Sequence, residues 1–126
     1  MSRSPKLILS ERGTMLLFVR NPYFAAIKAG EKRYELRAGA RYRNLRVGDQ
    51  LSINGRFRVT ITRIQRFETA EDASRASRQA GYFVSVAAIR ACYPNVSSMV
   101  MFHFDPPVGY PDRNERSANH ARHVAA

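Results

Sequence analysis

Apolar residues recur along this chain in short blocks whose spacing changes from one block to the next, and those changes mark the elements. Thr14 to Arg20 encloses Met15, Leu16, Leu17, Phe18 and Val19, an unbroken run of strand length that predicts a central strand buried on both faces. Asn21 then reads as an N-cap, Pro22 as the first helical residue, and Phe24, Ile27 and Lys28 keep helical spacing until Gly30 stops the turn. From Asp49 the period becomes two, with Leu51, Ile53, Phe57, Val59 and Ile61 inward and Ser52, Asn54, Arg58, Thr60 and Thr62 outward. This predicts two antiparallel strands. Asn54-Gly55 suggests a two-residue turn, but only a three-residue loop sets Ile53 against Phe57 and Leu51 against Val59. The inward phase slips between Ile61 and Ile64, the mark of a bulge bending the strand around a barrel corner.

Thr69 and Asp72 predict a variant capping box for a helix through Ala80, with Gly81 as its stop. Its apolar face is Ala70, Ala73, Ala76 and Ala80, so the helix either packs very close or is weakly held, with a lid as one use of such mobility. Ser85 caps a second short helix through Cys92, Pro94 ends it, and Met99 to Phe104 alternates as a closing strand. Residues 1–13 read as an extension in which Leu7-Ile8-Leu9 could add an edge strand, and 106–126 as an undocked tail. Residues 14–105 then form one domain.

With 126 residues and 44% hydrophobic residues, one core is expected. The formal net charge of +11 changes the picture more, because a small basic domain attracts polyanions. Nucleic acid is the expected partner. Lys6, Lys28 and Lys32 are the only lysines; arginine supplies the rest, and its planar fork suits phosphate and base stacking. A coding preference for arginine accounts equally for the scattered ones. Cys92 is alone, which excludes an intrachain disulfide and a cysteine zinc site and agrees with a reducing cytoplasm. No apolar run reaches the length of a membrane span, and no signal-peptide core follows Met1. No Ser-His-Asp set, phosphate-binding glycine loop or dinucleotide fingerprint occurs.

Opposite charges cluster densely in one place, Gly30-Glu31-Lys32-Arg33-Tyr34-Glu35-Leu36-Arg37. The spacing Gly-x-Lys-x-x-Glu-x-Arg resembles the signature of ASCH domains. Pro22-Tyr23-Phe24-Ala25-Ala26-Ile27 before it and Leu45-Arg46-Val47-Gly48-Asp49-Gln50-Leu51 after it resemble the family's flanking segments. The resemblance implies an α+β fold, a PUA-like, mostly antiparallel β-barrel flanked by short helices, with Lys32, Glu35 and Arg37 lining a cleft beside it. Strand parity adds a condition: Glu35 and Arg37 share a face, so Lys32 joins them only if the backbone breaks register before Glu35. A structural ion pair in which Arg37 holds Glu35 is the parallel expectation.

The resemblance implies RNA or nucleoside binding, and in some branches hydrolysis. One branch cleaves single-stranded RNA without metal; another, the acetylcytidine amidohydrolases, uses the signature lysine with a threonine and a distant glutamate. Glu35 occupies the position matching that threonine, so the hydroxyl is absent here. In an enzyme, Lys32 and Glu35 would be the catalytic pair, Lys32 with a lowered pKa and Glu35 as acid or base. For a binder of single-stranded RNA or a modified nucleoside, the candidates are Lys28, Lys32, Glu35 and Arg37, with Arg41, Arg43 and Arg46 following phosphates and Tyr34, Tyr42 or Tyr93 stacking on bases. A protein-interaction module meeting acidic partners is a third reading. Tyr23 and Tyr82 read as core residues, Cys92 as a packing residue and His103 as a hydrogen-bonded core or rim histidine. His120 and His123 lack a third ligand, so neither metal nor cofactor is expected.

Overall fold

A computed structural model describes residues 13–95 and 98–107. Leu7-Ile8-Leu9, His120, His123 and all of 108–126 lie outside the described residues. Nine elements follow in order: β1 (Thr14–Leu17), α1 (Tyr23–Lys28), β2 (Tyr34–Ala38), a 3₁₀ turn (Ala40–Tyr42), β3 (Gln50–Ile53), β4 (Phe57–Phe67), α2 (Ala70–Gln79), α3 (Val86–Cys92) and β5 (Met99–Phe104). The strands make a five-stranded sheet in the order β1-β3-β4-β5-β2, antiparallel except where β1 runs parallel to β3. Among the described residues, the sheet curls into a half-barrel whose two edges are β1 and β2.

Alternation places the β3–β4 hairpin as expected, with Ile53 opposite Phe57 and Leu51 opposite Val59 across an Asn54-Gly55-Arg56 loop. Asn54 takes φ 54° there, a left-handed conformation that asparagine tolerates better than most residues. The β4–β5 register shifts between Ile61 and Arg63, so the bulge falls where the inward phase slipped. The inner core gathers Met15, Leu17, Ile27, Leu51, Ile53, Val59, Phe102 and their neighbours.

The expectation for β1 is corrected: it is an edge strand, and Leu16 and the following Phe18 are 47% and 72% exposed. No helix among the described residues covers its outer face, so only the alternate positions Met15 and Leu17 reach the core. The reverse correction applies to β5. It lies between β4 and β2, with Val100, Phe102 and Phe104 in the inner core and Met99 and Met101 under the helices, so burial on both faces replaces alternation. Pro22 stands at the N-cap of α1 rather than its first turn, while Asn21 still accepts a hydrogen bond from the Ala25 amide at 3.1 Å.

Helix α2 packs close. Ala70 and Ala73 meet Met99 and Ile89, and Ala76 meets Tyr34 and Met101, because a small-residue face lets the helix axis approach the sheet. Thr69 caps α2 through the Asp72 amide, and Ser85 caps α3 through the Ala88 amide. Two serines on α2, invisible to an apolar pattern, fasten the turn that leads to α3. Ser74 Oγ donates to the Val84 carbonyl at 2.7 Å, and Ser77 Oγ accepts from the Val84 amide at 2.8 Å while donating to the Ser74 carbonyl at 2.6 Å. Ser77→Ala is therefore expected to cost about 1 kcal/mol in urea unfolding, the loss of a hydrogen bond to the half-buried Val84 amide. No helix among the described residues is long and apolar enough to cross a membrane.

Candidate functional site

Gly30 sets up the site. Its φ of 80° ends α1 in a conformation that favours glycine, and the chain then folds back so that the Glu31 and Lys32 amides both donate to the Ala26 carbonyl, at 2.9 and 3.1 Å. Lys32 consequently precedes β2 instead of lying within it. This is the break in register that strand parity required. Its Nζ donates to the Tyr34 carbonyl at 2.7 Å and to Glu35 Oε1 at 3.0 Å, and stands 4.2 Å from the Tyr34 ring centroid.

Glu35 and Arg37 project from β2 onto the barrel-facing side, opposite Phe102 and Val100 of β5. Glu35 Oε2 accepts from Arg37 Nε at 2.8 Å, and Arg37 Nη2 donates to the Phe18 carbonyl at 2.6 Å. Because Phe18 follows β1, Arg37 ties together the two edges of the half-barrel. The expected ion pair is present, and it also closes the seam. Lys32 and Glu35 are only 4% and 6% exposed, and no buried side-chain nitrogen or oxygen among the described residues lacks a partner. Burial pushes the Lys32 ammonium below its usual pKa, while the Glu35 carboxylate opposes that shift.

Above this network opens a cleft of about 380 Å³, within the size range that accepts a small organic ligand. Lys32, Glu35 and Arg37 lie at its charged base, Arg20 and Tyr23 stand on the wall leading into α1, and Cys92 and Tyr93 stand on the wall formed by α3. The wall is α3; α2, considered above as a lid, packs behind the sheet. Partial burial raises the pKa of both Tyr23 and Tyr93, keeping their hydroxyls protonated near neutrality.

The other candidates separate. Tyr34 borders the cleft but is fully buried, with its hydroxyl donating to the Tyr82 carbonyl at 2.6 Å; Tyr42 is 6% exposed, edge-on to Phe102 at 6.3 Å. Neither ring is free to stack on a base, because each fills the space between packed layers. Lys28 lies outside the cleft over the Phe24 ring, 5.2 Å from its centroid. Arg41, Arg43 and Arg46 are exposed around the 3₁₀ turn and the Val47-Gly48-Asp49 turn, away from the charged base. Tyr23, read as core, is half-buried and meets Tyr82 edge-on at 6.3 Å. Cys92 is exposed instead of packed, with its Sγ accepting from Arg20 Nη2 at 3.6 Å. His103 is half-buried and bonded to Gln65 Oε1 at 2.7 Å, with burial and Arg63 lowering its pKa. Arg20 and Tyr23 join the site through the fold alone; their only sequence signal is their place between a strand and a helix. Among the described residues no three His, Cys, Asp or Glu side chains are grouped to hold a metal ion.

Residues 17–108 match the family model described as ASCH domain. No curated protein sequence matches the chain significantly. Among solved structures, the fold is similar to the crystal structure of ASCH from Zymomonas mobilis, with a TM-score of 0.58 at 16% identity over 88% of this chain and 81% of that one. It is also similar to the crystal structure of hypothetical protein PH0355, with a TM-score of 0.63 at 17% identity over 75% of this chain and 99% of that one. A protein from Pyrococcus furiosus solved by NMR has a TM-score of 0.57 at 16% identity, over 77% of this chain and 99% of that one.

Proposed function

Because this chain belongs to the ASCH domain family and has its PUA-like α+β fold, we propose that it binds single-stranded RNA or a nucleoside-like ligand in the cleft over Lys32, Glu35 and Arg37. The observation that carries this reading is the composition of the cleft base. Two cations share one carboxylate, so the network keeps one positive charge facing a cavity that Tyr23 and Tyr93 flank. Such a base attracts electron-rich groups, and half-buried tyrosines supply flat contact area for a base or sugar. Lys32 serves binding through its charge, since its ammonium is already engaged by two acceptors.

Hydrolysis on the same cleft is the second reading, favoured by the lowered pKa of Lys32 beside the Glu35 carboxylate. One experiment separates them. Labelled single-stranded RNA is incubated in EDTA with the wild type and with Lys32→Met, and resolved on native and denaturing gels. Binding predicts a shifted but intact RNA, an affinity that falls steeply with salt, and at least a tenfold loss in Lys32→Met. RNA shortened by the wild type and spared by Lys32→Met would establish the hydrolase instead. Unshifted, intact RNA together with no binding of cytidine or acetylcytidine would remove both readings.

A further inference from the structure

A second groove of about 700 Å³ adjoins the cleft and shares Cys92 and Tyr93 with it as a common wall. Arg43 and Arg66 line it, with Asn95 and Ser98 as neutral polar partners, and no carboxylate is among its lining residues. Neither arginine forms an ion pair among the described residues. A third depression, beside α2, provides a contrast. There Arg66 and Arg75 are accompanied by Glu68 and Asp72, so it offers an anion no comparable preference.

Sheet register links the groove to the cleft. Arg37 of β2 and Arg66 of β4 both pair with Val100 of the intervening β5, so they stand in one row on one face of the sheet. Two strand spacings separate their backbones by roughly 10 Å. One arginine serves the cleft and the other the groove, with Tyr93 on the wall between them.

We infer that the ligand is a single-stranded oligonucleotide rather than a free nucleoside: one nucleotide occupies the cleft, the strand crosses at Tyr93, and its neighbouring phosphates lie on Arg43 and Arg66. The inference rests on the nucleic-acid reading of the cleft and extends it from one nucleotide to a strand that continues into the adjoining groove. Guanidinium forks match phosphate oxygens, and no carboxylate lines the groove itself to compete for them there.

The test compares cytidine with the trinucleotide CpCpC by calorimetry at several salt concentrations, for the wild type and for Arg43→Ala/Arg66→Ala. The wild type is expected to bind the trinucleotide at least tenfold tighter than cytidine. In the double variant that ratio should fall towards one, and the salt slope for the trinucleotide should drop by about 1.4, the value for two phosphate contacts on a single strand. Both arginines are exposed, and unchanged thermal unfolding of the variant would exclude a folding defect. Cytidine bound by the wild type as tightly as CpCpC, or a ratio unchanged in the variant, overturns the inference while sparing the cleft. A wild type that binds neither ligand overturns both.

Discussion

Glu35→Gln is expected to destabilise the fold by about 3–5 kcal/mol in urea unfolding, the range for removing one partner from a buried charge network. The substitution preserves shape and leaves Lys32 and Arg37 as like charges around an amide, with Lys32 only 4% exposed. Lys32→Met should cost less, about 1–3 kcal/mol, because Glu35 keeps Arg37 at 2.8 Å and the methionine retains much of the buried stem. The asymmetry is the informative quantity. Combined with Lys32→Met, Glu35→Gln should cost less than it does alone, giving a coupling energy of about 1–3 kcal/mol in a double-mutant cycle. Equal costs and no coupling would mean that the pair is solvated and the cleft base is not the closed network described above.

The second large effect falls on Asn54. Its side chain accepts from the Val19 amide at 2.6 Å and donates to the Val19 carbonyl at 3.0 Å, while its own amide donates to the Leu17 carbonyl at 2.8 Å. One turn residue thus holds the segment that supplies Phe18 and Arg20 to the cleft. Asn54→Ala should cost about 2–4 kcal/mol, combining two orphaned backbone groups with a left-handed φ of 54° that alanine disfavours. Asn54→Gly relieves the conformational part and still loses both bonds, so it should recover about 1 kcal/mol of that loss. Thermal unfolding of the three proteins separates these contributions. Ligand affinity should fall in both variants if the Phe18–Arg20 segment walls the cleft as placed; wild-type affinity in both would show that the segment holds its position without Asn54.

Asn54 also shows where pattern reading stops. In sequence Asn54-Gly55 is a turn signal, and alternation was sufficient to choose its loop length, because a different register would have turned Ile53 away from Phe57. Nothing in the pair announces that the asparagine side chain reaches Val19, a residue 35 positions earlier in the chain. The same division runs through β1 and β5. Both are unbroken or nearly unbroken apolar runs, yet β1 is a half-exposed edge and β5 is buried on both sides. Composition records how apolar a strand is; strand order decides whether anything covers its second face. Ser74 and Ser77 were missed for a related reason: serine is buried here because Val84 satisfies it, and Val84 belongs to the next segment.

The local elements are legible in the residues alone, since capping residues, glycine stops and hydrophobic period act within a few positions. Thr69, Ser85 and the Ile61-to-Ile64 phase slip each work at that range. The sequence also located the cluster Lys32-Glu35-Arg37, because charges spaced this closely must meet once Gly30 turns the chain. Tertiary structure alone decided what surrounds that cluster. The curl of the sheet brings Phe18 to Arg37, α3 brings Tyr93 over the cleft, and the packed layers enclose Tyr34 and Tyr42, removing them from the surface. Burial and long-range neighbours depend on how all the layers close together, and no short window of residues carries that information.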